Sequence, residues 1–327
     1  MITVGSLSSA KIALADAMPP HVISMMDFDR ETILKIFAYA DQLRLEQPAL
    51  RQVHRGQTVA TMFFQPSTRT RLNFEGAANA LGCSVIGFSD PKTTRAGDFY
   101  QESLEDVVKF TGAIADLLVL RHFQTGVSKV AAACSPVPLL NAGDGYNEHP
   151  TQALGDLWTM HRLLNGVEGR RIGLIGNPEI RSLRSISLGL ARLGAAEVVF
   201  LPAPDSCVPE ATINELCQHG VGYDIVGNVQ ELLLRCDVVE TIGVRHPDHS
   251  KHTDTPVAAT TAPDFKLTAD LIRRFGPHVW ILHPGPRTDE LEQDIDGMTN
   301  AQYFQQARNG LFVRMALMSA LLAAQGK

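Results

Sequence analysis

The sequence predicts an α/β protein with two doubly wound parallel-sheet domains joined by long helices. Three observations carry this. The chain has 327 residues, enough for about two domains. Apolar β-branched runs alternate with amphipathic helical segments in both halves, as parallel sheets with helical crossovers require. One stretch, Gln57 to Gly82, reads as strand, sharp turn and helix. Expected boundaries are 1–150, completed by a C-terminal helix over 301–327, and 151–300.

The stretch from Gln57 to Gly82 organises the rest. Thr58 to Phe64 is continuously apolar or β-branched, as a buried parallel strand should be. Pro66 ends it. Ser67 or Thr68 can cap a helix, whose apolar stripe is Phe74, Ala77, Ala78 and Leu81 and whose stop is Gly82. The turn carries two hydroxyls and then Arg69, Thr70 and Arg71. Cations at a helix start oppose the dipole, which places about half a positive charge there. A bound anion removes that conflict, so Ser67 to Thr70 reads as a phosphate cradle, with a capped helix bearing solvent-facing arginines as the alternative that the turn alone leaves open.

Residues 1–20 read as a loosely structured lead-in. Asp27 or Asp29 starts a helix with an apolar face of Ile33, Ile36, Phe37 and Leu43. Further strands are expected at Ser84–Phe88, Asp116–Leu120 and Val137–Asn141. Helices are expected from Glu102 and around Ser128–Cys134, and a loop through His149–Gln152 is expected to run into a long helix ending at Leu164. In the second half, strands are read at Arg171–Ile175, Val198–Leu201, Asp237–Thr241 and Trp280–His283. Helices are read at Leu183–Leu193, Glu210–His219 and Ala301–Ala324, the last with apolar Phe304, Ala307, Leu311, Met315 and Met318.

A net charge of −6 argues against general nucleic-acid binding. No apolar run approaches the ~20 residues of a membrane span, and no signal peptide is read at the start. The five cysteines form no Cys-x-x-Cys pair and suit a reduced cytoplasmic setting. His246, His249 and His252 lie among polar loop residues and read as a solvated segment, not a metal site. Gly173 to Gly176 lacks the dinucleotide-binding pattern.

Ligands in open parallel sheets sit beyond the carboxyl ends of the strands. Four polar clusters fall there: Ser67–Thr70, Arg121–His122, His149–Gln152 and His283–Arg287. Singly, His149 on a loop or Arg121 at a strand end reads equally well as structural. In order, they resemble the aspartate and ornithine carbamoyltransferases. Pro66-Ser-Thr-Arg-Thr-Arg71 with Phe74-Glu75 matches the carbamoyl-phosphate motif, with Gln65 where that family commonly has Glu. Asn141-Ala-Gly-Asp-Gly145, His149-Pro-Thr-Gln152 and Arg287-Thr-Asp-Glu290 lean towards the aspartate branch, and the likeness covers nearly the whole chain.

That resemblance implies carbamoyl transfer from carbamoyl phosphate to the amine of an amino acid, without cofactor or metal. It implies that Ser67, Thr68, Arg69, Thr70 and Arg121 bind phosphate. Thr70, Arg121 and His149 would donate to the carbonyl oxygen, and Gln152 with the backbone at Gly285–Pro286 would hold the carbamoyl NH₂. Arg69, Thr70, Arg121 and His149 are the expected catalytic residues. A homotrimer with shared sites is also implied, because the family's loop corresponding to Ser89–Glu102 reaches into a neighbour.

The departures concern the second substrate. The loop Thr94–Glu102 has no lysine where the family supplies one, leaving Arg95 as the candidate cation. The family's Arg-x-Gln pair for aspartate's β-carboxylate falls at Gly243-Val-Arg245. Arg181 still matches the α-carboxylate arginine. The expected amino-acid residues are thus Arg181, Arg245 and Arg95. Losing a carboxylate partner is severe for aspartate, so weaker use of aspartate than of another small amino acid is expected, with Glu240 facing an ammonium if that acceptor is a diamino acid. A weakly active assembly subunit is the alternative of a different class.

Overall fold

The computed structural model describes residues 4–45, 53–90, 102–244 and 260–325. Two compact units form, one from Met1–Gly155 with Gly310–Lys327 and one from Asp156–Asn309. Each holds one parallel sheet. The unit boundaries fall inside two helices, α6 (Pro150–Leu164) and α11 (Tyr303–Ala324).

The first sheet contains β1 (Thr58–Phe63), β2 (Ser84–Phe88), β3 (Leu117–His122) and β4 (Leu139–Asp144) in the order β2-β1-β3-β4. From β1 the chain moves outward to β2, then returns to lay β3 and β4 on the other side. The direction therefore reverses between β1 and β3, where such sheets open a crevice at their carboxyl edge. Phe63 pairs with Arg121, and the Phe64 N–H donates to the Arg121 carbonyl at 2.9 Å. The turn after β1 and the Arg121 side chain therefore leave the sheet at that reversal. Every residue of β3 and β4 is buried, whereas the edge strand β2 is largely exposed.

Helix α3 (Thr68–Ala80) follows β1 and buries Phe74, Ala77, Ala78 and the adjoining Leu81. Gly82 ends it with φ +85°, a conformation that favours glycine. Helices α4 (Leu104–Gly112) and α5 (Val127–Cys134) cross between strands. Helix α2 (Arg30–Leu45) is started by Asp29, whose carboxylate accepts from the Thr32 N–H at 2.8 Å. Asp27 instead closes a 3₁₀ turn capped by Ser24. The lead-in also differs from expectation. Val4–Ala15 is a helix, α1, packed against α2 with Leu14 and Ala15 buried. Its good helix formers lack a single apolar stripe, so periodicity did not reveal it.

The second sheet contains β5 (Arg171–Gly176), β6 (Glu197–Pro202), β7 (Gly222–Ile225), β8 (Val238–Ile242) and β9 (Trp280–Leu282) in the order β7-β6-β5-β8-β9. Its reversal lies between β5 and β8. A Cβ on Gly176 would stand 2.1 Å from the Ile242 carbonyl oxygen, so only glycine lets these two strand ends approach. The helices of this unit are α7 (Arg181–Leu193), α8 (Glu210–Gln218), α9 (Val229–Arg235) and α10 (Ala269–Phe275). Along α11 the expected apolar face fails at its start. Phe304 is 70% exposed, and Tyr303, Gln306 and Asn309 are buried instead. Tyr303 joins the core of the second unit, Gln306 and Asn309 serve polar contacts, and a continuous buried apolar run begins at Phe312.

One buried polar cluster makes the first unit pH-sensitive. His54 Nδ1 faces Gln57 Oε1 at 2.6 Å and Nε2 faces Ser319 Oγ at 2.8 Å, while Ser319 also meets Tyr39 Oη. Burial pulls the His54 pKa down to about 4. A histidine depressed in the fold gives stability that is present above its unfolded value, near 6.5, and fades as pH falls towards 4. The full effect is about 3 kcal/mol. Denaturant unfolding between pH 7 and pH 4 should show this fall, and His54→Gln should flatten it. Equal slopes in the two proteins would contradict the assignment.

Candidate active site

The cradle is built by the start of α3. Ser67 occupies the N-cap with extended backbone, but its hydroxyl makes no cap hydrogen bond. The first helical bond runs from the Arg71 N–H to the Ser67 carbonyl at 3.3 Å. The N–H groups of Thr68, Arg69 and Thr70 precede it and have no acceptor within the helix. The two arginines behave differently. Arg71 Nε pairs with Glu75 Oε1 at 2.6 Å, an i,i+4 bridge that neutralises it. Arg69 has no acidic partner among the described residues; partial desolvation lowers its pKa from the usual arginine range, without taking its charge at neutral pH. Among the described residues, the helix start thus keeps one cation without an acidic partner beside N–H donors that have no acceptor within the helix, the arrangement an anion stabilises. Thr70 is buried beneath it.

Arg121 ends β3, buried, with Nη1 donating to the Ala142 carbonyl at 3.0 Å. His122 turns the other way, stacking on Phe123 and accepting the Gln124 N–H at Nδ1. His149 precedes α6, and its carbonyl accepts from the Gln152 and Ala153 N–H groups at 3.1 Å each. The loop delivering it is fixed by buried carboxylates. Asp144 accepts from Asn141 Nδ2 at 3.0 Å and from the Glu148 N–H at 3.2 Å. Burial raises the Asp144 pKa, opposed by these bonds and those from Asn147 and Ser128. Glu148 in turn accepts from the Ser24 hydroxyl and from the Met25 N–H at 2.8 Å. Ser67, Thr68, Arg69, Thr70, Arg121, His149 and Gln152 therefore all stand at the carboxyl edge of one sheet or on the first turns of helices rising from it.

In the second unit, Arg181 opens α7, again at an N-cap without a side-chain cap, and is buried. Gly285 and Pro286 follow β9 and share a cis peptide bond. Their loop is held from beneath. His283 Nδ1 accepts the Gly285 N–H at 2.8 Å, which leaves Nε2 as the donor to Glu290 Oε1 at 2.8 Å. Burial alone would raise the Glu290 pKa, but the bonds from His283 and Thr288 bring it to about 2. Glu240 does not face an acceptor as the diamino-acid reading expected. It is fully buried, and Gln306 Nε2 donates both to it at 2.9 Å and to Asp156 at 2.7 Å. Burial, then repulsion from Asp156, lifts its pKa well above the carboxylate range. Arg95, Arg245, His246, His249 and His252 lie outside the described residues. Among those described, no group of three or more His, Cys, Asp or Glu is placed to hold a metal ion.

Sequence reasoning missed Arg314. It sits on α11, 2% exposed, with Nη1 on Asn73 Oδ1 at 2.7 Å and Nη2 on Gln152 Oε1 at 3.1 Å. The signal was there: one cation inside the apolar run Leu311–Leu322, a place where charges seldom stand unless paired.

Two parallel-sheet α/β domains, one with an uncapped, arginine-bearing helix start at its sheet reversal, are the class of architecture in which enzymes bind small molecules at the carboxyl edge of the sheet. The comparisons make this specific. The family model for the aspartate/ornithine carbamoyltransferase carbamoyl-P binding domain matches residues 20–162, and that for the Asp/Orn binding domain matches residues 168–321. The chain is 34% identical over 309 residues to chloroplastic aspartate carbamoyltransferase 1 of Pisum sativum, covering 92% of this chain and 78% of that one. It is 33% identical over 303 residues to the aspartate carbamoyltransferase catalytic subunit of Chromobacterium violaceum, covering 92% and 97%. It is also similar to a crystal structure of aspartate transcarbamoylase from Trypanosoma cruzi in complex with carbamoyl phosphate and aspartate, with TM-score 0.81, 28% identity, and coverage of 94% and 98%. The chain belongs to the aspartate/ornithine carbamoyltransferase family, and it is a carbamoyltransferase of the aspartate type.

Arg69→Ala separates ligand chemistry from folding. Removing a cation that opposes the dipole should leave the melting temperature unchanged or slightly higher. Turnover should fall at least ~10²-fold, the scale of losing one preorganised charge-stabilising donor. A sharp loss of melting temperature with unchanged kcat would make Arg69 structural.

Proposed function

We propose that the chain transfers a carbamoyl group from carbamoyl phosphate to the α-amine of an amino acid, releasing phosphate. The amine nitrogen attacks the carbonyl carbon, the bond from that carbon to the phosphate oxygen breaks, and the ammonium sheds its proton. No covalent enzyme intermediate is needed. Ser67, Thr68, Arg69, Thr70 and Arg121 hold the phosphate. Thr70, Arg121 and His149 donate to the carbonyl oxygen as it gains charge. Gln152, Gly285 and Pro286 hold the carbamoyl NH₂, and Arg181 takes the α-carboxylate. The observation that carries this reading is the uncapped α3 start, with an Arg69 that has no acidic partner among the described residues.

Aspartate is the acceptor favoured by the whole-chain likeness, with Arg245 and Arg95 reading the β-carboxylate. One observation favours a second reading, another small amino acid: position 243 is a glycine at the end of β8, with no side chain to grip a carboxylate. We further infer a cytoplasmic homotrimer with shared sites, serving pyrimidine biosynthesis. No helix among the described residues is long and apolar enough to cross a membrane.

Phosphate release with carbamoyl phosphate across a panel of amino acids tests the acceptor. The aspartate reading requires the highest kcat/KM for aspartate and its collapse in Arg245→Ala. A higher value for another small amino acid establishes the second reading. Release with no amino acid in the panel contradicts both. Sedimentation should give about three times the 35.6 kDa chain mass; a fully active monomer would remove the shared-site claim.

A further inference from the structure

Arg314 joins the two helices whose first turns carry the cradle and His149. Asn73 stands one turn into α3 from Thr70, and Gln152 one turn from His149 at the start of α6. One guanidinium fork bonds both, Nη1 to Asn73 Oδ1 at 2.7 Å and Nη2 to Gln152 Oε1 at 3.1 Å. Its carbon lies 5.0 Å from the centre of the Phe74 ring. Room for the fork comes from Gly310, where a Cβ would stand 2.8 Å from Arg314 Nη1 and 3.9 Å from Asn73 Nδ2.

The chemistry of the fork decides what Gln152 offers a ligand. A guanidinium only donates, so the Gln152 atom facing it must be the amide oxygen. The usual ambiguity of an amide's two ends is thereby removed. An amide oxygen carries two lone pairs, so it accepts from Arg314 and from a ligand N–H together, and the cation strengthens its polarity. We propose that Arg314 is a positioning residue that presents the Gln152 oxygen as an acceptor, making the site select an acyl phosphate bearing an N–H group over one without it. This rests on the carbamoyl phosphate reading of Gln152 given above.

The test measures binding of carbamoyl phosphate and of acetyl phosphate, which has CH₃ in place of NH₂, to the full-length chain and to Gly310→Ala, Arg314→Met and Arg314→Lys. The wild type should prefer carbamoyl phosphate. Gly310→Ala and Arg314→Met should weaken carbamoyl phosphate by about tenfold or more, the worth of one good hydrogen bond, and leave acetyl phosphate unchanged, so the preference collapses. Arg314→Lys, which keeps a donor, should fall between. Alanine favours the helix but crowds a buried guanidinium off its partners, so Gly310→Ala should lose some melting temperature while staying folded; Arg314→Lys, which keeps the cation, carries the test if Arg314→Met fails to fold. A preference unchanged in Gly310→Ala, or both ligands weakened equally, overturns the proposal and leaves Arg314 structural. A wild type that binds neither phosphate overturns the carbamoyl phosphate reading itself, a result distinct from wild-type binding with an unmoved preference.

Discussion

An unmet electrostatic demand at one helix start organises this protein. The first turn of α3 has no side-chain cap and carries a cation where the dipole is already positive. Among the described residues, one of its two arginines is relieved, by Glu75. In a protein shaped for stability alone, Ser67 would cap the helix and position 69 would be acidic or neutral. Here the first-turn N–H groups and Arg69 stand at the point where the strand order of the sheet reverses, the arrangement that the proposed carbamoyl phosphate site uses.

Each unit has its own buried polar framework. Asp144, Asn141 and Glu148 fix the loop that delivers His149. Arg314 ties α3 to α6. In the second unit, His283 and Glu290 hold the Gly285–Pro286 loop, and Gln306 bridges two carboxyl groups below it. Such groups are costly to bury unless satisfied, so each network allows few alternative arrangements. Precise placement of ligand-facing atoms follows from that rigidity.

Much of this was legible in the sequence, for physical reasons. Buried parallel strands are continuous apolar runs, so β1, β3, β5 and β8 were located to within a few residues. Glycine and proline punctuate the turns, and the helix start with its two arginines was placed where α3 begins. What escaped has causes too. Edge strand β7 is wholly exposed and shows no apolar run. Helices α9 and α10 are short, though Asn228 and Thr268 cap them through the Glu231 and Leu271 N–H groups; those caps were the readable signal. Arg314 and Gln306 hid within a helix read for its apolar stripe, because periodicity counts hydrophobic positions and ignores a buried polar residue that reaches another element. Glu240 was misassigned because a strand position does not reveal that its carboxyl is enclosed with Asp156.

The most direct measurement is a crystal structure of the wild-type chain with carbamoyl phosphate. The phosphate should lie against the N–H groups of residues 68–70, with the Arg69 guanidinium turned onto it and Gln152 Oε1 still bonded to Arg314. A phosphate bound elsewhere, with the start of α3 in contact only with solvent, would contradict this placement.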